Sequence, residues 1–320
     1  MNASGQSGRF RRPSRGTVLR VGAGVVALTG TAIAFATQAS KLSSIEWRFA
    51  PGWLLVGICA FVLLQAVLCA LWLSLVRRLG AELPARVGAA AWCVSALGRY
   101  APTGALMIIG RIDMTWRAGV PRRICAASIF YELVFAVGGA LVVGAGSVAT
   151  VNGIAPVLRW AALALGLAGL VAMHPRIVRP VVDRMLERFG SEPLPVVLPV
   201  RDVALYAAGY IASYLLAGLG TLFLAKAVHP VEWGDAGVLI ASFAVGFAAS
   251  IVGFLSPGGL GAREVAQATT LVGVLPFAVG LAVAVLIRLV QITVEVVFAG
   301  VTWLIARRAA EPMNSGSGGG

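Results

Sequence analysis

The sequence predicts an all-α polytopic membrane protein: six full spans plus two re-entrant helical hairpins arranged as inverted repeats. Three observations carry that prediction. The 320-residue chain is 59% hydrophobic and only 12% charged, with a mean hydropathy of +0.89, where an ordinary soluble domain has roughly 25% charged residues. Charge-free runs long enough for about 30 Å of hydrocarbon occur at 21–40, 49–76, 133–158, 203–225, 236–262 and 265–287. Two of the apolar regions are broken in related ways, by Arg99-Tyr-Ala-Pro102-Thr-Gly104 and by Ser256-Pro257-Gly258-Gly259-Leu-Gly261-Ala-Arg263-Glu264. Each break is followed, about thirty positions on, by a charge inside an apolar helix: Glu132 after the first and Arg288 after the second. Paired Gly/Pro-interrupted hydrophobic segments in two halves of a chain point to a transporter's substrate site.

The formal charge of +13 does not point to nucleic acid, because the basic residues follow the positive-inside rule. Leaving out Arg99, Arg111, Arg263 and Arg288 at the breaks, eighteen basic residues fall on one side. These include Arg9–Arg20, Arg77, Arg78, Arg117, Arg122, Arg123, Arg176–Arg201, Arg307 and Arg308. Only Lys41, Arg48, Arg159 and Lys226 fall on the other. Both termini are therefore expected in the cytoplasm, and the expected location is the bacterial cytoplasmic membrane. The cysteines Cys59, Cys69, Cys93 and Cys125 sit in or beside apolar segments as small hydrophobes. No zinc spacing involves His174 or His229, and no metal or other cofactor is expected.

The elements follow in order. Residues 1–16 read as a disordered basic cytoplasmic tail, 17–308 as a single membrane transport domain, and 309–320 as a disordered tail or linker. The first span (about 17–37) goes outward and the second (51–76) returns. Residues 85–100 and 104–116 flank the first break with basic residues at both ends. A helix of about 15 residues rises only about 22 Å, which suits a hairpin entering from the cytoplasm. The third span (123–149) and fourth (155–173) follow, then an amphipathic surface helix at 175–189. The fifth span (202–227) leads to an external loop at 229–235. Residues 237–254 and 259–272 flank the second break, and the sixth span (276–306) returns. Because 236–262 is itself long enough to cross, an eight-span arrangement also satisfies the pattern.

The second half carries Gly253-Phe-Leu-Ser-Pro-Gly-Gly-Leu-Gly-Ala-Arg-Glu, then Leu286-Ile-Arg-Leu and Glu295; the first carries Tyr100-Ala-Pro-Thr-Gly, Gly119 and Tyr131-Glu132. This pattern resembles the lysylphosphatidylglycerol synthase transmembrane-region family, the flippase half of multiple peptide resistance factors, which also occurs as stand-alone proteins. The resemblance covers about residues 15–308 and implies lipid translocation. Members that make aminoacylated lipid carry a further soluble domain after this region. Since the sequence ends soon after Arg308, synthetic activity is expected to be absent.

Read on their own chemistry, the candidate site residues are charged or conformationally special groups at membrane depth. A cation inside a span is costly unless paired or hydrated. Arg288 shares one helix face with Gln291 and Glu295, which suits either a polar cavity or an internal ion pair. Glu132 is read either as the partner of Arg288 or Arg263 or as a participant in transport. Arg263 and Glu264 open a half-helix whose free N–H groups favour anions, with Gly259 and Gly261 permitting close backbone approach; the alternative is a turn that simply needs glycine. Arg111 with Asp113 reads either as a ligand or as the hairpin's cytoplasmic foot. Pro102, Gly104 and Pro257 form the breaks themselves. Tyr210, Tyr214 and Gln65 read as interhelical packing.

The leading expectation is a lipid flippase that moves an anionic phospholipid or a polyprenyl-phosphate-linked sugar. No Walker A motif is present, so transport would be facilitated or ion-coupled. The alternatives are a membrane-embedded enzyme acting on lipid-linked substrates and a non-transporting scaffold for a membrane glycosyltransferase. Homo-oligomerisation stays open.

Overall fold

The computed structural model describes residues 47–100, 105–147, 156–188, 190, 192–252 and 261–308. The expected first span, both tails, and Pro102, Gly104, Pro257 and Gly259 lie outside the described residues. Among the described residues all regular structure is helical. The helices are α1 (Pro51–Arg78), α2 (Ala85–Ala96, extended by a 3-10 turn Leu97–Tyr100), α3 (Ala105–Arg117), α4 (Arg122–Ser147) and α5 (Pro156–Ala172). They continue with α6 (Pro175–Arg188), α7 (Val200–Val228), α8 (Ala236–Val252, preceded by a turn Trp233–Asp235), α9 (Ala262–Thr270, followed by a turn Leu271–Gly273) and α10 (Phe277–Arg308).

Five helical segments are long and apolar enough to cross a membrane: α1, Arg122–Gly146 of α4, α7, Trp233–Ile251 and α10. A sixth is reached if α5 and α6 count as one span bent by 75°. Two expectations are refined here. The 17-residue α5 is short for a span, and the segment Trp233–Ile251, expected as a hairpin arm, is long and apolar enough to be a full one. Past the bend, α6 turns Val178 and Val182 inward and leaves Arg176, Arg179, Arg184 and Arg188 exposed, the pattern of a surface helix.

The centre of the fold is the antiparallel pair α1 and α7, whose register is fixed by close contacts along its whole length. A Cβ on Gly57 would lie 2.7 Å from Leu224, one on Gly220 2.9 Å from Phe61, and one on Gly209 2.9 Å from Leu71. Small residues let helix backbones approach where no hydrophobic effect drives them together. Further along, Ser74 and Tyr206 share a 2.9 Å hydrogen bond and Arg78 pairs with Asp202 at 3.2 Å. Pro51 opens α1 at a position where its missing N–H costs nothing, and Arg77 and Arg78 close it against the negative end of the helix dipole.

The other helices pack on this pair in matched sets. In the first half α2 packs on α3, α3 on α4 and α1 on α4; in the second, α8 packs on α9, α9 on α10 and α7 on α10. Across the halves, α2 packs on α10 and α8 on α4. Leu55 and Leu63 of α1, Leu205 of α7 and Leu289 and Val297 of α10 point outward and are exposed, as expected of surfaces that meet lipid rather than water.

Candidate functional site

The second break ends at Gly261, whose φ of +88° lies in the left-handed region that glycine enters at little cost. That turn starts α9, and the Glu264 side chain folds back to accept a 2.7 Å hydrogen bond from the Gly261 N–H. Its other oxygen faces Arg288 of α10, with Nε 3.8 Å away. One turn of α10 further on, Gln291 donates to Glu295 at 3.1 Å. Glu295 is almost fully buried and also accepts from the Tyr100 hydroxyl at 2.9 Å and from Arg99 at 3.4 Å. The Arg288 guanidinium lies 5.2 Å from the centre of the Tyr100 ring. The last turn before the first break is thereby fastened to the helix that follows the second.

Arg263 completes this cluster differently. Its guanidinium stacks 4.7 Å from the Phe243 ring centre of α8, while Nε and Nη2 are buried and make no hydrogen bond among the described residues. The Gln267 amide nitrogen, one turn on, is buried and equally without a partner among the described residues. A Cβ on Gly246 would run into the Gln267 side chain, so glycine there makes the room that Gln267 occupies. Buried donors without acceptors cost about 1–3 kcal/mol each, a cost that a bound acceptor removes.

A second cluster lies between α2, α3 and α4. Arg111 is buried, forms an ion pair with Glu132, and donates from Nε to the Ser95 hydroxyl at 3.0 Å. The Trp92 indole N–H donates to the other Glu132 oxygen at 2.9 Å. The rings of Trp72 and Trp92 lie 5.2 and 5.6 Å from the guanidinium. The two clusters are mirrored in charge. In the first half the arm after the break carries the arginine and the following helix the carboxylate; in the second, Glu264 is on the arm and Arg288 on the helix. Together Arg99, Arg111, Arg263 and Arg288 face Glu132, Glu264 and Glu295, one positive charge in excess.

Of the residues singled out in the sequence, Gly261, Arg263, Glu264, Arg288, Gln291 and Glu295 are brought together. Arg111 and Glu132 form their own group. Three readings are corrected. Glu132 pairs with neither Arg288 nor Arg263 but with Arg111, because α3 packs on α4 and presents Arg111 to it. Arg111 is therefore no hairpin foot: its side chain is 1% exposed, and it is Arg117, at the end of α3, that reaches solvent and takes Asp113. The carboxylate beside Arg288 is Glu264, whereas Glu295 is taken by Tyr100, Gln291 and Arg99.

Sequence reasoning missed Tyr100, Trp92, Ser95 and Gln267 as members of these clusters and left Arg99 without a role. Arg99 and Tyr100 had a signal, since they stand directly before the Pro102 break. Gln65 is buried, and its amide nitrogen makes no hydrogen bond among the described residues, so the expected interhelical tie is not seen among them. Tyr210 packs on Phe135 with ring centres 6.0 Å apart, and Tyr214 packs on Phe243 and Phe247, the packing role the sequence suggested. Among the described residues no group of three or more His, Cys, Asp or Glu side chains is placed to hold a metal ion. No protein-family model matches the chain, and no curated protein matches it.

Proposed function

We propose that this chain is a lipid flippase of the cytoplasmic membrane, with the cluster at Arg263, Arg288 and Glu295 as the headgroup site. The observation that carries the reading is Arg263: a buried guanidinium with two N–H-bearing nitrogens unmatched among the described residues, beside the Gln267 amide, which is likewise unmatched among them. A planar, weakly hydrated guanidinium is suited to grip a phosphate oxygen pair, and the net positive charge of the clusters favours an anion. Aliphatic side chains on the outer helix faces provide the path for acyl or polyprenyl chains. The substrate class is an anionic phospholipid or a polyprenyl-phosphate-linked sugar, in line with the likeness of the Pro257–Glu264 stretch to flippase regions of multiple peptide resistance factors.

In this reading the two halves are inverted repeats and α2–α3 and α8–α9 are paired hairpins. The matched packings and the charge-mirrored Arg111–Glu132 and Glu264–Arg288 pairs support it. Alternating access would come from one hairpin moving against the opposite half, with the Tyr100–Glu295 contact breaking and reforming. The test is translocation of fluorescent phosphatidylglycerol and of a short polyprenyl-phosphate sugar by the purified protein in liposomes. Transport of either above protein-free vesicles supports the proposal. No transport of both, in protein shown to be folded and inserted, returns the chain to the scaffold or enzyme readings.

A further inference from the structure

A cavity of about 230 Å³ opens far from these clusters, where the start of α1 meets the end of α7. Its walls are Arg48, Ala50, Trp53, Lys226, His229, Pro230 and Val231. They are tied together by the backbone bonds Arg48 N–H to Val228 O at 3.2 Å and Ala50 N–H to Ala227 O at 2.9 Å. Trp53 stacks on Phe223 with ring centres 5.6 Å apart and meets Trp233 edge-on at 5.9 Å. The Lys226 ammonium donates to the Val231 carbonyl and lies 4.3 Å from the Trp233 ring centre, which fixes its position. His229 Nδ1 is buried and has no hydrogen-bond partner among the described residues. Glu232 and Asp235, in the same loop, are not part of the walls.

We propose that this cavity is a second binding site, for the phosphate group of a lipid headgroup or of a small free phosphate, held by Arg48, Lys226 and His229. This site is separate from the buried clusters and independent of transport through them. The Lys226 ammonium, the Arg48 guanidinium and the His229 imidazole line a space large enough for a phosphate and several waters, each water taking about 30 Å³. Indole rings of this kind mark the level of lipid headgroups, with their apolar bodies toward the chains and their N–H toward the interface. The α1–α7 end that carries the cavity is opposite to Arg77, Arg78 and Arg201, so it faces the side of the membrane with few basic residues. Burial holds the His229 pKa below the ordinary imidazole value, so an arriving phosphate that favours the charged ring would raise it again.

The test is ¹⁹F NMR of the full-length detergent-solubilised protein carrying 5-fluorotryptophan, with the Trp53 and Trp233 signals assigned through Trp53→Phe and Trp233→Phe. The probes are dihexanoyl phosphatidylglycerol, inorganic phosphate and dihexanoylglycerol, which lacks phosphate. The expected result is a saturable shift of the Trp53 signal with the phospholipid and none with dihexanoylglycerol. In Arg48→Gln and in His229→Gln the half-saturating concentration should rise about fivefold or more, as expected for the loss of one charge-assisted hydrogen bond. A shift with inorganic phosphate as well assigns the site to the phosphate alone; a shift with the lipid only assigns it to a headgroup anchored by its chains. An unmoved Trp53 signal, an equal response to dihexanoylglycerol, or unchanged half-saturation in both variants overturns the proposal.

Discussion

Tyr100 and Glu295 are 195 positions apart, yet the tyrosine hydroxyl donates to the carboxylate at 2.9 Å. That bond joins the turn before the first break to the middle of the last helix, and the Arg288 cation lies against the same ring. Glu295 has lost nearly all contact with solvent, so its charge is tolerable only through the donors around it: Tyr100, Gln291 and Arg99.

Tyr100→Phe removes one of those donors, and Glu295→Gln removes the charge they serve. Each variant is expected to lose stability, and the double variant to lose less than the sum, with a coupling of about 0.5–3 kcal/mol. Thermal unfolding of the four proteins in one detergent measures it. Additive losses would show that the contact carries no energy of its own.

Glu132→Gln leaves Arg111 buried between two indoles without its counter-charge. The expected destabilisation is about 3–5 kcal/mol, with Arg111→Gln/Glu132→Gln recovering a large part of it, because a buried unpaired charge costs more than a neutral pair. Expression level and unfolding temperature report this. A single variant as stable as the wild type would place water or lipid beside Arg111.

Arg263→Lys keeps the charge but replaces a planar fork by a point charge. Under the proposed function, lipid translocation in proteoliposomes should fall at least about tenfold while the unfolding temperature stays within a few degrees. Full transport in that variant would take the headgroup away from Arg263.

Gly261 sits at φ +88°, where a β-branched residue is strained by about 1–2 kcal/mol or more. Gly261→Val together with Gly259→Val should abolish transport in protein that still inserts into the membrane. Retained activity in the double variant would separate the turn from the mechanism.

The charge distribution sets the topology prediction. Single cysteines placed at 229–235 in a cysteine-free background should react with an impermeant maleimide from outside intact cells, and those at 174–201 only after permeabilisation. The reverse pattern would invert the orientation of every span.

How much of this was legible beforehand follows from which forces are local. Helix boundaries were close to what the sequence predicted, as in α7 at Val200–Val228 against an expected 202–227. Apolar run length, proline and flanking charge act through the chain itself. The positive φ of Gly261 and the shared face of Arg288, Gln291 and Glu295 were readable for the same reason: the first is a property of one residue and the second of helical spacing. Partner choice was not readable. Whether Glu132 meets Arg111 or Arg288, and whether Glu295 is met by Tyr100, depends on which helix packs on which. The first pairing follows from the packing of α3 on α4, and the second from the packing of α2 on α10, helices nearly 200 positions apart in the chain. A sequence pattern fixes where charges sit along a helix, but only packing of the helices decides which of them come within reach of one another.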